Sequence, residues 1–340
     1  MTRSRDTADT QDNLGGAVAP FVGAKNFVFN GSFDCWQRGT TFTSIGTTQY
    51  SADRWYYGNG GASNYTFTRQ TTSDTTNLPN VQYAIRLARV AGNTNTAQQY
   101  FANVLETVNT IPLVGKTITL SYYARVGADY SGGSTFRGYA ATGATVDVPL
   151  FSGVASNNVA STAPTLTTTW QRFTASGTVA TSQTQACVYF TWTPSGTAGA
   201  NDWIEITSVQ LEVGALMTPF ARAGGSIGGE LALCQRYYYR IQNDSTVAYA
   251  AISTAYTTTN AIATIPIKTT LRVTPTAVDF SSLRVFDLVN GATTVTAITL
   301  EGGSPNTANI NITSSSLTVF RNYYILGNTT PSYLGFSAEL

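Results

Sequence analysis

The stretch "KTITLSYYARV", Lys116 to Val126, alternates without a break. Ile118, Leu120, Tyr122, Ala124 and Val126 fall on one parity, and Thr117, Thr119, Ser121, Tyr123 and Arg125 on the other. A period of two describes a strand with one buried face and does not fit a helix. The same signal recurs along the chain. "QACVYFTWT" sets Val188, Phe190 and Trp192 on one face. "DWIEITSVQLEVG" places Ile204 and Ile206 on one parity and Val209, Leu211 and Val213 on the other, so a β-bulge is expected at Thr207–Ser208. Turn signals such as "GNGG", "ASGT" and "PSGTAG" separate the runs. Many short strands with Gly-rich turns predict a sandwich or jelly roll. One segment breaks the pattern. Phe101, Val104, Leu105 and Val108 follow helical spacing, although "NTAQQYF" just before them also fits a strand.

Residues 1–25 are polar, alternate charge with small residues and end in "GGAVAPFVGAK". Such a segment orders only against a partner, so it reads as a free tail or an attachment arm. Strand signals fill 26–220. The segment 221–240, "ARAGGSIGGELALCQRYYYR", is a Gly-rich hinge followed by good helix formers, and is placed as a linker with a short helix. Strands resume over 241–340. The expected fold is all-β: an N-terminal extended arm, a jelly-roll β-sandwich, a short helical linker and a second, smaller C-terminal β-sandwich. No repeat of solenoid period occurs, which argues against a β-helix.

Composition removes several classes of function. Net charge is +1, which offers neither a counterion-release grip on nucleic acid nor an electrostatic grip on anionic lipid. Charged residues make up 11% of the chain against about 25% in ordinary soluble domains; Thr, Ser, Asn and Gly take their place. No apolar run approaches the roughly 18 residues of a membrane span. The polar N-terminus lacks the apolar core of a signal peptide, so synthesis in a cytoplasm and release by lysis are expected. There is no histidine, which excludes Ser-His-Asp and Cys-His catalysis and most catalytic zinc sites. Cys35, Cys187 and Cys234 are odd in number and far apart, and read as small buried hydrophobes. The carboxylates Asp202 and Glu205, or Asp34 and Asp53, stand in no context that would raise a pKa, so no enzyme is expected.

"NGSFDCWQRGTTF" (Asn30 to Phe42) and "YSADRWYY" (Tyr50 to Tyr57) concentrate aromatic and charged residues. Trp36, Arg38, Asp53, Arg54 and Trp55 can be read as a sugar site, with rings stacking and planar groups bonding hydroxyls. They can also be read as a structural latch, with Arg38 or Arg54 paired to Asp53 over a tryptophan. Tyr56, Tyr57 and Tyr65 surround the loop in "RWYYGNGGASNYTF" and are the expected glycan contacts.

Taken in order, "NFVFNGSFDCWQRGTTF", "YSADRWYY" and "VQLEVGALMTPFARAGGSIGGELALCQRYYYR" resemble tail-fibre and related virion appendage proteins of tailed bacteriophages. Those carry N-G-x-F-x-x-W-Q-R-G, then A-D-R-W, then Q-L-E-x-G-x-x-x-T-P-F, then E-L-A-L-C-Q-R-Y-Y. The match covers 26–60 and 205–240, with weaker echoes in "TIPIKTTLRVTPTAV" and "FSAEL". A phrase shared across many appendages is a poor choice for selecting a ligand, which favours the latch. The first domain is also similar to jelly-roll carbohydrate-binding modules, through "WQRFT" (Trp170 to Thr174) and "DWI" (Asp202 to Ile204). That resemblance implies a structural calcium between first and last strands, carried over to Asp34 and Asp202, with Glu205 a lesser candidate and backbone carbonyls completing about six to eight oxygens. Together the resemblances imply a structural virion protein: a tail fibre, head fibre or decoration subunit. It would dock to phage tail or capsid proteins through 1–25, form a homotrimer and hold host surface polysaccharide multivalently. The alternative is a carbohydrate-binding module of a secreted glycan-active protein; a glycan depolymerase is disfavoured by the missing β-helix pattern and acid pair.

Overall fold

The computed structural model describes residues 25–45, 49–60, 64–289 and 291–340. The expected attachment arm, 1–25, lies outside them apart from Lys25. The fold is all-β, with two β-sandwiches and few short helices. The chain divides into two compact units, the second running Leu231–Glu339.

The first unit is a jelly-roll sandwich of two six-stranded antiparallel sheets. From edge to edge, sheet one holds β1 (Thr41–Ile45), β4 (Tyr65–Thr71), β5 (Tyr83–Arg89), β12 (Trp203–Val213), β7 (Thr117–Val126) and β10 (Gln171–Thr178). Sheet two holds β2 (Gln49–Tyr50), β3 (Tyr56–Asn59), β6 (Gln99–Val104), β11 (Gln185–Trp192), β8 (Arg137–Gly143) and β9 (Asn157–Thr162).

The alternation in β7 has the expected consequence: Ile118, Leu120, Tyr122, Ala124 and Val126 all enter the core. Ile204, Ile206, Val209 and Leu211 share that core despite their change of parity. The pairing of β12 with β7 slips between Thr207 and Gln210, and Ser208 takes a φ of 52°. One extra residue at this bulge turns the following side chains back to the interior.

The helical spacing at Phe101 to Val108 is overruled. Phe101 and Val104 lie in β6, and only Thr107–Thr110 (α1) is α-helical, with Val108 exposed. Both faces of sheet two carry apolar residues: Phe101 points into the main core, while Ala102 and Val104 join a smaller cluster on the outer side. A strand covered on both faces loses its alternation, and its apolar residues fell by chance on a helical spacing. The three cysteines are buried and none is joined in a disulfide.

The second unit pairs a three-stranded sheet with a seven-stranded one. The smaller runs β13 (Tyr238–Asn243), β22 (Ser332–Ser337), β16 (Ala277–Ser281). The larger runs β18 (Gly291–Thr294), β17 (Leu283–Asp287), β21 (Asn322–Gly327), β14 (Tyr249–Ala255), β15 (Asn260–Pro266), β20 (Thr307–Thr313), β19 (Ala297–Ser304). Its core is mainly aliphatic, built on Ile265, Ile310, Ile312, Ile325 and Leu334. The "GELALC" run forms the expected short helix, α2 (Ile227–Gln235). Among the described residues no helix is long and apolar enough to cross a membrane.

Candidate functional site

The Asn30–Phe42 segment is a hub of buried hydrogen bonds. Asn30 takes a left-handed φ of 57°, a conformation that asparagine tolerates better than most side chains. Its amide nitrogen donates to the carbonyls of Cys35 (2.8 Å) and Asp53 (3.0 Å), and its amide oxygen accepts from the Cys35 N–H (2.9 Å). Gly31 must be glycine, because a Cβ there would lie 2.1 Å from the Val209 carbonyl oxygen. Asp53 accepts from the Gln37 backbone (3.1 Å) and side chain (2.9 Å). The Trp55 indole N–H donates to the Asn30 carbonyl at 3.0 Å. Trp36 donates to the Phe33 carbonyl, and Arg38 sits 5.2 Å from the centre of the Tyr50 ring.

These contacts fix strand β6. The buried Arg54 guanidinium donates to the Val104 carbonyl at the end of that strand. Trp55 stacks on Phe101 in its middle, with centroids 4.8 Å apart and planes 10° apart. Of the latch group, Trp36, Asp53, Arg54 and Trp55 are all buried, which leaves them little surface for a ligand.

What β6 presents on its other side is the outer face of sheet two. Register brings Tyr56, Ala102, Tyr189, Tyr139 and Ser161 into one row across β3, β6, β11, β8 and β9. At a strand spacing of about 4.8 Å the row spans roughly 19 Å. Tyr139 and Tyr189 stack at 4.7 Å and 19°. Phe151, 55% exposed, leans edge-on over Tyr100 at 5.1 Å and Tyr56 at 6.4 Å. Polar groups border the rings: the Tyr189 hydroxyl donates to Asn158 Oδ1 (3.0 Å) and the Tyr100 hydroxyl to Gln98 Oε1 (2.6 Å). Burial, aided by neighbouring Cys187 and Tyr139, raises the Tyr189 phenol above its ordinary pKa, so it stays a neutral donor. Tyr189 itself is buried and backs Tyr139, while the partly exposed rings of Tyr56, Tyr100, Tyr139 and Phe151, with hydroxyl and amide groups at their edges, are chemistry suited to the C–H faces and hydroxyls of a sugar chain.

Of the tyrosines expected to meet glycan, the structure places only Tyr56 on this face. Tyr57 and Tyr65 are core residues and are corrected as such. They have the opposite parity to Tyr56 or lie in the facing sheet; the Tyr57 hydroxyl donates to Gln99 Oε1, and the Tyr65 oxygen accepts from the Trp192 indole at 3.0 Å. Tyr100, Tyr139, Tyr189 and Phe151 were missed. The signal for Tyr189 lay in the parity opposite Val188 and Phe190 within "VYF".

The calcium expectation is corrected too. Asp34 accepts from the Arg222 guanidinium at 2.7 Å, and Asp202 from Ser131 Oγ at 2.5 Å with Arg89 at 3.4 Å. Glu205 is clamped between Arg86 and Arg125, each within 2.6 Å. A carboxylate already neutralised by a guanidinium is a poor ligand for a second cation, and Asp34 and Asp202 belong to separate ion pairs. Among the described residues no group of three or more His, Cys, Asp or Glu could hold a metal. The residues present do not fit the implied ion.

No family model matches the sequence, and no curated protein matches it. Distant similarity to solved structures is present. One, described as "CBM4 structure and function", is 16% identical over 55% of this chain and 99% of its own, with a TM-score of 0.34. The enzymatically active domain of bacteriophage CBA120 tailspike protein 4 is 16% identical over 56% of this chain and 21% of its own, with a TM-score of 0.36. An apo cyclase from Fischerella sp. is 13% identical over 56% of this chain and 96% of its own, with a TM-score of 0.36.

Proposed function

We propose that this chain is a structural protein of a tailed-phage virion that holds host surface glycan without cleaving it. The observation that carries glycan binding is the aromatic row on the outer face of sheet two: Tyr56 and Tyr139, with Tyr100 and Phe151 beside them and the buried Tyr189 ring backing Tyr139. The virion assignment rests on the three phrases that resemble tail-fibre and appendage proteins. In this reading 1–25 docks to tail or capsid proteins, and a homotrimer presents three weak sites that gain avidity from their linkage. A binding role also agrees with the carboxylates of the first sandwich: Asp34, Asp202 and Glu205 are all committed to arginines.

Titration with the host's purified surface polysaccharide tests the glycan half. Tyr139→Ala should weaken binding about tenfold, equivalent to about 1.4 kcal/mol, with the melting temperature nearly unchanged. Unaltered affinity in Tyr139→Ala and Tyr189→Ala would remove this face from the argument. Locating the protein on purified particles by immunogold labelling tests the other half. Absence from the particle would leave the alternative, a carbohydrate-binding module of a secreted glycan-active protein. Deleting 1–25 should abolish incorporation while leaving the fold intact.

A further inference from the structure

The second sandwich carries a groove of its own. It has a volume of about 660 Å³ and lies across β14, β15, β20 and β19, on the side of the seven-stranded sheet turned away from that unit's core. Ile252 and Ile262 line it and are 56% and 52% exposed, and Tyr256 stands beside them, 44% exposed. Asn309, Asn311 and Glu301 supply its polar side.

The polar groups are held in place by one another. The Asn311 amide nitrogen donates to the Tyr256 oxygen (2.8 Å) and to Glu301 Oε1 (3.1 Å), while Asn260 donates to its amide oxygen (3.2 Å). Thr264 donates to Asn309 Oδ1 at 2.9 Å. Glu301 continues the outward parity of Ala297 and Thr299 on β19, opposite Ile298 and Leu300 on the core side, which puts it on the same face as Asn311.

Each group keeps hydrogen-bonding capacity to spare. Among the described residues, the Asn309 amide nitrogen donates to no protein group, and Glu301 Oε2 accepts from none. The Tyr256 oxygen accepts from Asn311, which leaves its own proton free. A fixed donor and a fixed carboxylate acceptor beside an exposed ring and two isoleucines match a hydroxyl-rich ring with one apolar face.

We propose that this groove is a saccharide site, separate from the tyrosine face of the first sandwich, that takes a neutral or amino sugar through two adjacent hydroxyls. Glu301 and Asn309 bond the diol, and Tyr256 with the isoleucines covers the C–H face. Glu301 has no cationic partner among the described residues, so it repels a uronic or sialic acid. A protein partner fits less well: protein interfaces are depleted of Glu, and this groove is walled on one side by a carboxylate and two amides.

The test uses the full chain with side-chain amides of asparagine labelled with nitrogen-15. Mannohexaose, chitohexaose and hexagalacturonate are titrated to millimolar concentration. The neutral or the amino oligomer should shift the Asn309 and Asn311 amide signals, and hexagalacturonate should not. Asn309→Ala and Tyr256→Ala should each weaken that binding about tenfold with the melting temperature unchanged, and Tyr139→Ala should leave it intact. Three results overturn the proposal: no shift with either sugar, equal shifts with hexagalacturonate, or shifts that follow protein concentration instead and vanish in Ile252→Asp. The last would make the groove a contact between copies of the chain. None of them bears on the tyrosine face, whose loss would register only in Tyr139→Ala and Tyr189→Ala.

Discussion

The two sandwiches are made from similar strands and filled with different chemistry. The first packs rings on rings: Trp55 on Phe101, Phe101 near Phe33, and Tyr122 edge-on to Phe190 at 4.8 Å. It also buries ions, with Arg54, Arg89, Asp202 and Glu205 all withdrawn from solvent. The second packs isoleucine, leucine and alanine, and keeps most of its polar side chains on its outer surface. A ring brings an N–H or O–H inside with it, so an aromatic core must carry partners for those groups. Asn30 and Trp192 supply them, the first accepting from Trp55 and the second donating to Tyr65. The first sandwich should therefore lose most when a ring or an ion partner is removed, and the second should lose only the packing volume of a side chain.

The largest effect is expected for Trp55→Ala. It empties the centre of the aromatic stack and leaves the Asn30 carbonyl with the Phe33 N–H alone, for a loss of about 4 kcal/mol. Ile325→Ala in the second core should cost about 3 kcal/mol. All five tryptophans lie at or before Trp203, so tryptophan fluorescence in urea reads the first unit, and hydrogen exchange of β21 reads the second. A larger loss for Ile325→Ala would reverse the contrast.

Glu205→Ala comes next. The carboxylate is fully buried and joins cross-strand partners Arg86 and Arg125 on either side. Both guanidiniums also lie against the Trp203 ring, Arg86 at 4.2 Å and Arg125 at 5.9 Å. Removing one partner of a fully buried pair costs about 3–5 kcal/mol. The arginine side chains are 30% and 26% exposed, so water takes up part of the loss and about 2 kcal/mol is expected. A urea midpoint that does not move would show that the ring contacts alone hold these arginines.

The difference between the units also explains what could be read from the sequence. Alternation in β7 and the parity slip at Thr207–Ser208 carried the first fold, because one face of those strands meets the core and the other a polar surface. Reading failed where both faces are covered. Phe101 to Val108 lost its alternation that way, and the Tyr189 ring was hidden by the apolar residues on either side of it. The tyrosine face is made by register between strands far apart in sequence, as with Tyr139 and Tyr189, and no local window contains both. Tyr57 and Tyr65 were legible as aromatic but not as interior. The Asp34 and Asp202 error had the same cause: Arg222 lies 188 residues from Asp34 and Arg89 lies 113 from Asp202, so their ion pairs cannot be seen along the chain.

The smallest effect is expected at Glu230, where buried charge meets pH. Its two oxygens accept the Asn30 and Gly224 backbone N–H groups, and Arg222 is near enough to favour its charged form. Burial outweighs these, and the carboxyl pKa is raised above the usual glutamate value. A raised pKa means that the folded state binds this proton more tightly than the unfolded chain does. The contribution to stability therefore grows as pH falls through the folded pKa, levels off below the unfolded value, and is lost again as pH rises. Other carboxylates titrate in the same range, so the useful quantity is a difference. Urea midpoints of the parent and of Glu230→Gln, followed by tryptophan fluorescence from neutral pH down into the carboxylate range, should converge or cross in the parent's favour as the pH drops. If the parent instead falls behind on acidification, the backbone N–H groups and Arg222 outweigh burial. The first sandwich would then hold this charge as a bonded ion, as it holds Glu205.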